Sequence, residues 1–192
     1  LIPRELGSDF DAVFAHCAAS GYRGINITYP YKELAAAKVR TSDPLVRAVG
    51  AVNTVIFEPS GPHGYNTDLT GFMAAYRGVF GATAPGPVAL IGAGGVGKAI
   101  AFALANLGVV ELGIFDADRA KSEALAMQLR GRLRARVADD AARALQGAAG
   151  MVNATPVGML PDRGMAVPEA LLRRDLWVAD AVYTPLWTPL LN

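Results

Sequence analysis

The 192 residues contain one cysteine and two histidines, which leaves little for covalent or metal cross-linking. A single thiol, Cys17, excludes an internal disulfide, and a reducing cytoplasm is the compartment expected. His16 has only its neighbour Cys17 and His63 has no His or Cys close in sequence, too few ligands for a metal site to be expected. Charge of one sign is also lacking: 18 Lys and Arg face 17 Asp and Glu, a net +1. That balance gives no electrostatic case for nucleic acid or an anionic membrane surface. Arg130, Arg132, Arg134 and Arg136 have no interleaved aromatics and read as a solvated helix end. The longest apolar stretch, residues 88–115, is broken by Lys98, Asn106, Glu111 and several glycines. It is therefore no membrane span, which needs about 20 apolar residues with few charges. No signal-peptide pattern is read. A start at Leu1 and a finish at Leu190-Leu-Asn192 without a helix stop suggest a piece of a longer protein.

What is present is glycine in a telling place. Val88-Ala-Leu-Ile91 is an apolar strand running into Gly92-Ala93-Gly94-Gly95-Val96-Gly97, and a helix follows from Lys98. This is G-x-G-x-x-G in a strand–turn–helix setting. Gly92 suits a tight turn, Gly94 a close backbone approach to phosphates, and Gly97 close helix–strand packing. Free N–H groups at the helix start, over Ala93, Gly95 and Val96, suit a pyrophosphate. Ile114-Phe-Asp116 ends the next apolar strand near the expected spacing of roughly 20 residues, where a carboxylate holds the ribose hydroxyls. The motif is read as a dinucleotide site.

Around it, strands alternate with helices. After a Gly/Pro-rich linker at 81–87 come strand–turn–helix (88–107), strand (109–116), helix (118–130), strand (135–137), helix (139–147), strand (149–154) and strand (176–180). Alternation of this kind predicts a parallel sheet with right-handed crossovers. Before the linker, residues 9–20 read as a helix capped by Ser8 or Asp9, with Cys17 on its apolar face. Residues 24–29 form a strand and 33–39 a helix. Residues 51–57 form a strand that returns through a longer turn at 59–62, with His63 as a solvated loop residue. Asp68 is expected to cap a helix over 69–76.

Four polar clusters follow apolar strands: Asn26-Ile-Thr28-Tyr-Pro30-Tyr-Lys32, Val52-Asn53-Thr54, Asn66-Thr67-Asp68 and Asn153-Ala-Thr155-Pro156. Ligands of open α/β sheets bind beyond the carboxyl ends of strands, and collected polar groups there suit a hydroxylated ligand. In order along the chain stand Asn26-x-Thr28-x-Pro30-x-Lys32, Ala51-Val-Asn53-Thr54, Gly64-x-Asn66-Thr67-Asp68-x-x-Gly71 and Gly92-Ala-Gly-Gly95. They are followed by Asn153-Ala-Thr155-Pro156-x-Gly158-Met159, Asp180-Ala181-Val-Tyr183-x-Pro185 and Thr188-Pro189-Leu190. These seven motifs, over essentially the whole chain, resemble the shikimate dehydrogenase family and its NAD-preferring quinate/shikimate branch.

The resemblance implies an α/β protein: a Rossmann-type parallel-sheet domain plus an incomplete α/β substrate-binding domain. Residues 1–83 would be the substrate-binding part, lacking its N-terminal portion, and 84–192 the NAD-binding Rossmann domain, lacking a C-terminal helix. It implies Lys32 and Asp68 as the catalytic pair and Thr28, Asn53 and Tyr183 as substrate contacts. Gly92, Ala93, Gly94, Gly95, Val96, Asp116, Arg119, Thr155, Pro156 and Ala181 would hold the cofactor. The partner would be a small polyhydroxy cyclic acid, with a homodimer as the open assembly. The chemistry agrees, since hydride reduction of a ketone leaves an alkoxide and a lysine beside a carboxylate can protonate it.

Two departures bear on this. The family's first strand, with its Ser-x-Ser substrate motif, and a later glutamine-bearing helix have no counterpart here, so the chain as written is expected to be catalytically poor. NADP-using members carry Asn-Arg-Ser/Thr after the second Rossmann strand, whereas this chain has Asp116-Ala-Asp118-Arg119. Asp116 would repel a 2′-phosphate, which favours NAD, although Arg119 or Lys121 could soften the repulsion. Shikimate/3-dehydroshikimate is the substrate expected, with quinate/3-dehydroquinate beside it. The rival readings are a methylenetetrahydrofolate-type dehydrogenase and a non-catalytic dinucleotide-binding regulatory module.

Overall fold

The computed structural model describes residues 9–192, so Ser8 lies outside the described residues. Backbone proximity divides the chain into two units between Thr67 and Asp68.

The first unit is a small antiparallel sheet with helices. Helix α1 (Phe10–Ala19) starts where Asp9 accepts from the N–H groups of Asp11 and Ala12, 2.9 and 3.4 Å away. Side-chain acceptors at this position satisfy amides that the helix itself cannot. Phe14 and Cys17 are buried on its inner face. Strands β1 (Gly24–Asn26), β2 (Thr54–Glu58) and β3 (Gly61–Tyr65) pair in that order. The strand expected over 24–29 stops at Asn26, because the Ile27 N–H turns to the carbonyl of Asn53 (2.7 Å). Helix α2 (Lys32–Ala36) is shorter than expected.

Helix α3 (Pro44–Val49) was not read from the sequence. Its signals were there: Asp43 accepts from the Leu45 N–H, Pro44 opens the helix, and Gly50 closes it at φ +66°. At six residues it is too short to leave an apolar period. The hairpin is also tighter than expected, with Pro59-Ser60 alone between Glu58 and its partner Gly61. Gly61 takes φ +108°, which an L side chain rarely adopts. Pro62 is tolerated because β3 is an edge strand of this sheet. His63 is accordingly a strand residue rather than a loop one, and its Nε2 accepts from the Ser42 N–H at 3.1 Å. Phe14, Ile27, Ala35, Val46, Val52 and Val55 form this unit's core.

The second unit holds α4 (Thr67–Phe80), whose first residue falls on the other side of the division. The helix begins one residue before Asp68, so Asp68 lies within its first turn rather than at the cap. There follow β4 (Val88–Ile91), α5 (Gly95–Asn106), β5 (Glu111–Phe115), α6 (Arg119–Gln128), β6 (Arg134–Val137), α7 (Ala141–Leu145), β7 (Gly150–Asn153) and β8 (Trp177–Asp180). The sheet is parallel throughout, in the order β6-β5-β4-β7-β8. Central β4 and β7 are buried at every position, as strands covered on both faces must be. The segment read as a linker is anchored here: the Trp177 indole N–H donates to the Pro85 carbonyl at 3.1 Å. Trp177 also meets Tyr76 of α4 edge-on, ring centres 5.5 Å apart. The Arg130–Arg136 run divides between the turn after α6, where Arg132 lies over the Phe102 ring, and β6, where Arg134 pairs with Glu111.

The strand order reverses about β4, with β5 on one side and β7 on the other. Crevices at such a reversal, beyond the carboxyl ends of the strands, are where open α/β sheets bind ligands. Among the described residues no helix is long and apolar enough to cross a membrane, and no cluster of His, Cys, Asp or Glu could hold a metal ion.

Candidate active site

In the second unit the glycine turn lies at this reversal. The Gly92 N–H donates to the Phe115 carbonyl (2.8 Å), and the residue takes φ +100°. A Cβ on Gly92 would lie 2.8 Å from the Ala154 backbone, and one on Gly97 only 2.1 Å from the Gly92 carbonyl oxygen. These two glycines are required by the protein's own packing. Gly94 differs. Its φ of −73° and ψ of −169° suit any residue, and a Cβ there would meet nothing within 4 Å. A side chain would fill the open space before α5, whose N-terminus has no side-chain cap. Uncapped amides facing open space across a bare backbone fit a phosphate group. Ala93, Gly95 and Val96 complete the turn.

Asp116 follows β5 and braces this turn. One carboxylate oxygen accepts from the Ala93 N–H (2.7 Å) and the other from the Asp118 N–H (2.8 Å). The first bond was not foreseen. Arg119 opens α6 but is engaged elsewhere: its guanidinium donates to Glu123 at 2.8 Å and to Asp139. Its hydrogen bonds to these two carboxylates hold it protonated and push it above the usual arginine range. Lys121 lies 3.9 Å from Asp118. Both cations near Asp116 thus already face carboxylates.

Beyond β7 and β8 lie the other residues expected at the cofactor. Thr155 and Pro156 follow β7, and the Ala181 N–H donates to the Asn153 carbonyl at 2.8 Å. Tyr183 is 84% exposed. Asn153 is fully buried, and its amide is bound to Thr155, Val157 and Asp180 rather than presented to solvent.

In the first unit, the end of β1, the start of β2 and the end of β3 converge. The Asn53 N–H donates to the Tyr65 carbonyl (3.0 Å), and the Val52 N–H to the Lys32 carbonyl (3.0 Å). The Thr28 carbonyl accepts from the Tyr31 N–H at 3.0 Å, which closes the turn leading into Lys32. The Asn53 amide grips Thr67, donating to its hydroxyl (2.9 Å) and accepting from its N–H (2.9 Å). Asn66, 2% exposed, donates to the Ala51 carbonyl at 2.9 Å. Thr28 is exposed, while Lys32 and Asn53 are half-buried. Covalent continuity then places Asp68 directly after the held Thr67.

A parallel sheet with a glycine turn and a terminal carboxylate at its reversal point defines a Rossmann-type, dinucleotide-binding class of protein. The family model for the shikimate dehydrogenase substrate binding domain matches residues 4–55. The chain is 44% identical to an NADP(+) shikimate dehydrogenase of Streptomyces avermitilis, over 90% of this chain and 61% of that one. It is 36% identical to the NAD(+) quinate/shikimate dehydrogenase of Corynebacterium efficiens, over 100% of this chain and 70% of that one. Quinate dehydrogenase from Corynebacterium glutamicum in complex with NAD superposes at a TM-score of 0.83, with 36% identity, covering 98% of this chain and 69% of that chain. The chain belongs to the shikimate dehydrogenase family, a family of nicotinamide-dependent oxidoreductases.

Proposed function

We propose that the protein of which these residues are part oxidises and reduces shikimate/3-dehydroshikimate, and also quinate/3-dehydroquinate, with a nicotinamide dinucleotide. The observation that carries this is the convergence of Thr28, Lys32, Asn53 and Thr67 at one end of the small sheet, with Asp68 next in the chain. The functional division we propose is 1–83 for substrate and 84–192 for dinucleotide, with α4 carrying Asp68. The cofactor we propose is NAD in preference to NADP, on the strength of Asp116. The similar proteins include both an NADP(+) and an NAD(+) enzyme. We place the reaction in the cytoplasm, in keeping with a buried free thiol at Cys17.

The dinucleotide, when bound, supplies or takes the hydride. Lys32 receives the proton that the substrate hydroxyl releases in oxidation, and returns it to the alkoxide in reduction. Asp68 is the carboxylate that this reading assigns as the lysine's partner. Thr28 and Asn53 would fix the ring hydroxyls, and Tyr183 is proposed as a further substrate contact. The turn at Gly92–Val96 binds the pyrophosphate, with Thr155, Pro156 and Ala181 lining the remainder of the cofactor site. Arg119, already paired with Glu123 and Asp139, would stand with Asp116 among the residues that hold the cofactor.

The deciding experiment is absorbance at 340 nm with the full chain, NAD or NADP, and shikimate, quinate and aminoshikimate in turn. Turnover of shikimate or quinate is expected. Dinucleotide binding without turnover of any of the three would favour a regulatory module instead.

Two further results are expected. Asp68→Asn should lower kcat at least about tenfold, because it removes the carboxylate assigned as the partner of the proton-transferring lysine. Its cost to α4 should stay below about 1 kcal/mol, the scale of a first-turn carboxylate's interaction with the helix dipole. A fall in melting temperature with unchanged kcat would limit Asp68 to helix stability. For the glycines, Gly97→Ala should destabilise the fold by about 1–3 kcal/mol through overpacking. Gly94→Ala should leave the melting temperature unchanged while weakening NAD binding. Calorimetric melting and NAD titration separate the two.

A further inference from the structure

Asn153, Asp180 and Thr188 lie at the carboxyl end of the large sheet, and none was expected to act individually. Asn153 and Asp180 are direct partners across β7 and β8. Asn153 and Thr188 are both fully buried. The Asn153 amide nitrogen donates to Asp180 Oδ1 (2.9 Å) and to the Val157 carbonyl (3.1 Å). Its oxygen accepts from the Thr155 N–H (3.0 Å) and the Thr155 hydroxyl (2.7 Å). All four hydrogen-bonding positions of the amide are thereby used. Asp180 also accepts from the Val182 N–H (2.9 Å, Oδ1) and the Thr188 hydroxyl (2.7 Å, Oδ2). The Thr155 hydroxyl accepts in turn from the Val157 N–H at 3.2 Å.

The geometry points to a positioning clasp: Asn153, Asp180 and Thr188 hold the 154–158 and 181–184 loops in one fixed arrangement for catalysis. The inference rests on the reading above, which gives Thr155, Pro156, Ala181 and Tyr183 to the site. Backbone bonds fix the ends of the loops, Ala154 N–H to the Ile91 carbonyl (2.7 Å) and Ala181 N–H to the Asn153 carbonyl (2.8 Å), and the side-chain network holds Thr155, Val157 and Val182 between them. The first loop lies against the 188–189 turn where Gly158, at φ +94°, leaves room: a Cβ there would come 3.7 Å from Thr188 and 3.8 Å from Pro189. A buried network with every partner satisfied is rigid, and loss of one member loosens the rest. Asp180 acts through the loops it holds. Its oxygens are engaged with Asn153, Val182 and Thr188, so it serves as an anchor and not as an acid or base.

The test uses the full chain and three variants. Thr188→Val keeps the shape and removes one bond to the carboxylate, Thr188→Ser restores it, and Asp180→Asn weakens the hub while keeping its size. Thr188→Val should speed amide hydrogen exchange at Thr155, Val157 and Val182 while the amides of β4 and β5 keep their protection. It should lower kcat about tenfold, the scale of one lost hydrogen bond to a charged acceptor, with a smaller rise in the Kd for NAD, because Thr155, Pro156 and Ala181 line that site. Thr188→Ser should return exchange and kcat to wild type. Asp180→Asn should move both in the same direction, which preserves the test if Thr188→Val does not fold. Unchanged exchange at those three amides, or exchange that rises equally throughout the sheet, would overturn the clasp. If the wild-type chain turned over neither shikimate nor quinate, the dehydrogenase reading would fall, while the exchange measurements would still decide whether the clasp exists.

Discussion

Lys32→Ala is expected to lower turnover of shikimate or quinate about 10²–10⁴-fold, the usual contribution of a positioned general acid–base group, while leaving NAD binding intact. Lys32 is the first residue of α2, and its carbonyl is held by the Val52 N–H at 3.0 Å. Its backbone is thus tied to the segment that delivers Asn53. The dinucleotide turn belongs to a different unit of the chain, which is why the two effects should separate. Steady-state rates with saturating NAD, beside an NAD titration of the same variant, make the comparison. A variant with near-native kcat would remove Lys32 from the chemistry, and one that also lost NAD would point to a general folding defect.

The second large effect is expected at Asp116. A 2′-phosphate brought to this carboxylate meets like charge, a juxtaposition that costs several kcal/mol. Arg119 and Lys121 offer little relief because each already faces a carboxylate of its own. Asp116→Asn should therefore shift the ratio of kcat/KM for NADP to that for NAD by about 10–100-fold, after allowance for screening by solvent and salt. The structure adds a further expectation. Because Asp116 also accepts from the Ala93 N–H at 2.7 Å, Asn, which can still accept that bond, should keep more NAD activity than Ser or Ala, which cannot reach it. Measured kcat/KM for both cofactors across the three variants tests both parts. A wild-type preference for NADP would sink the charge argument, and equal NAD activity in Asn and Ala variants would sink the bracing argument.

The order of motifs made the family legible from residues alone, and local chemistry explains why. A glycine turn needs particular glycines next to one another, caps lie within three residues of the groups they satisfy, and alternating apolar runs record burial on both faces of a parallel sheet. The parallel sheet over residues 88–180 and the cap at Asp9 follow from such short-range rules. The same rules missed α3, too short for a period, and placed His63 in a loop, since Pro62 hides the strand that β2 imposes.

The amino-acid sequence by itself thus determined the dinucleotide turn, the strand order's raw material and the identity of the family. Only the tertiary structure decided what braces the site. The Asp116–Ala93 bond joins residues 23 apart, and the Asn153–Asp180 bond joins residues 27 apart. Neither pairing follows a helical or strand period, and each exists only because parallel neighbours bring two strand ends side by side. Long-range contacts of this kind leave no repeating trace in sequence. A polar residue at a strand end reads the same whether it faces a ligand or, like Asn153, is used entirely within the fold.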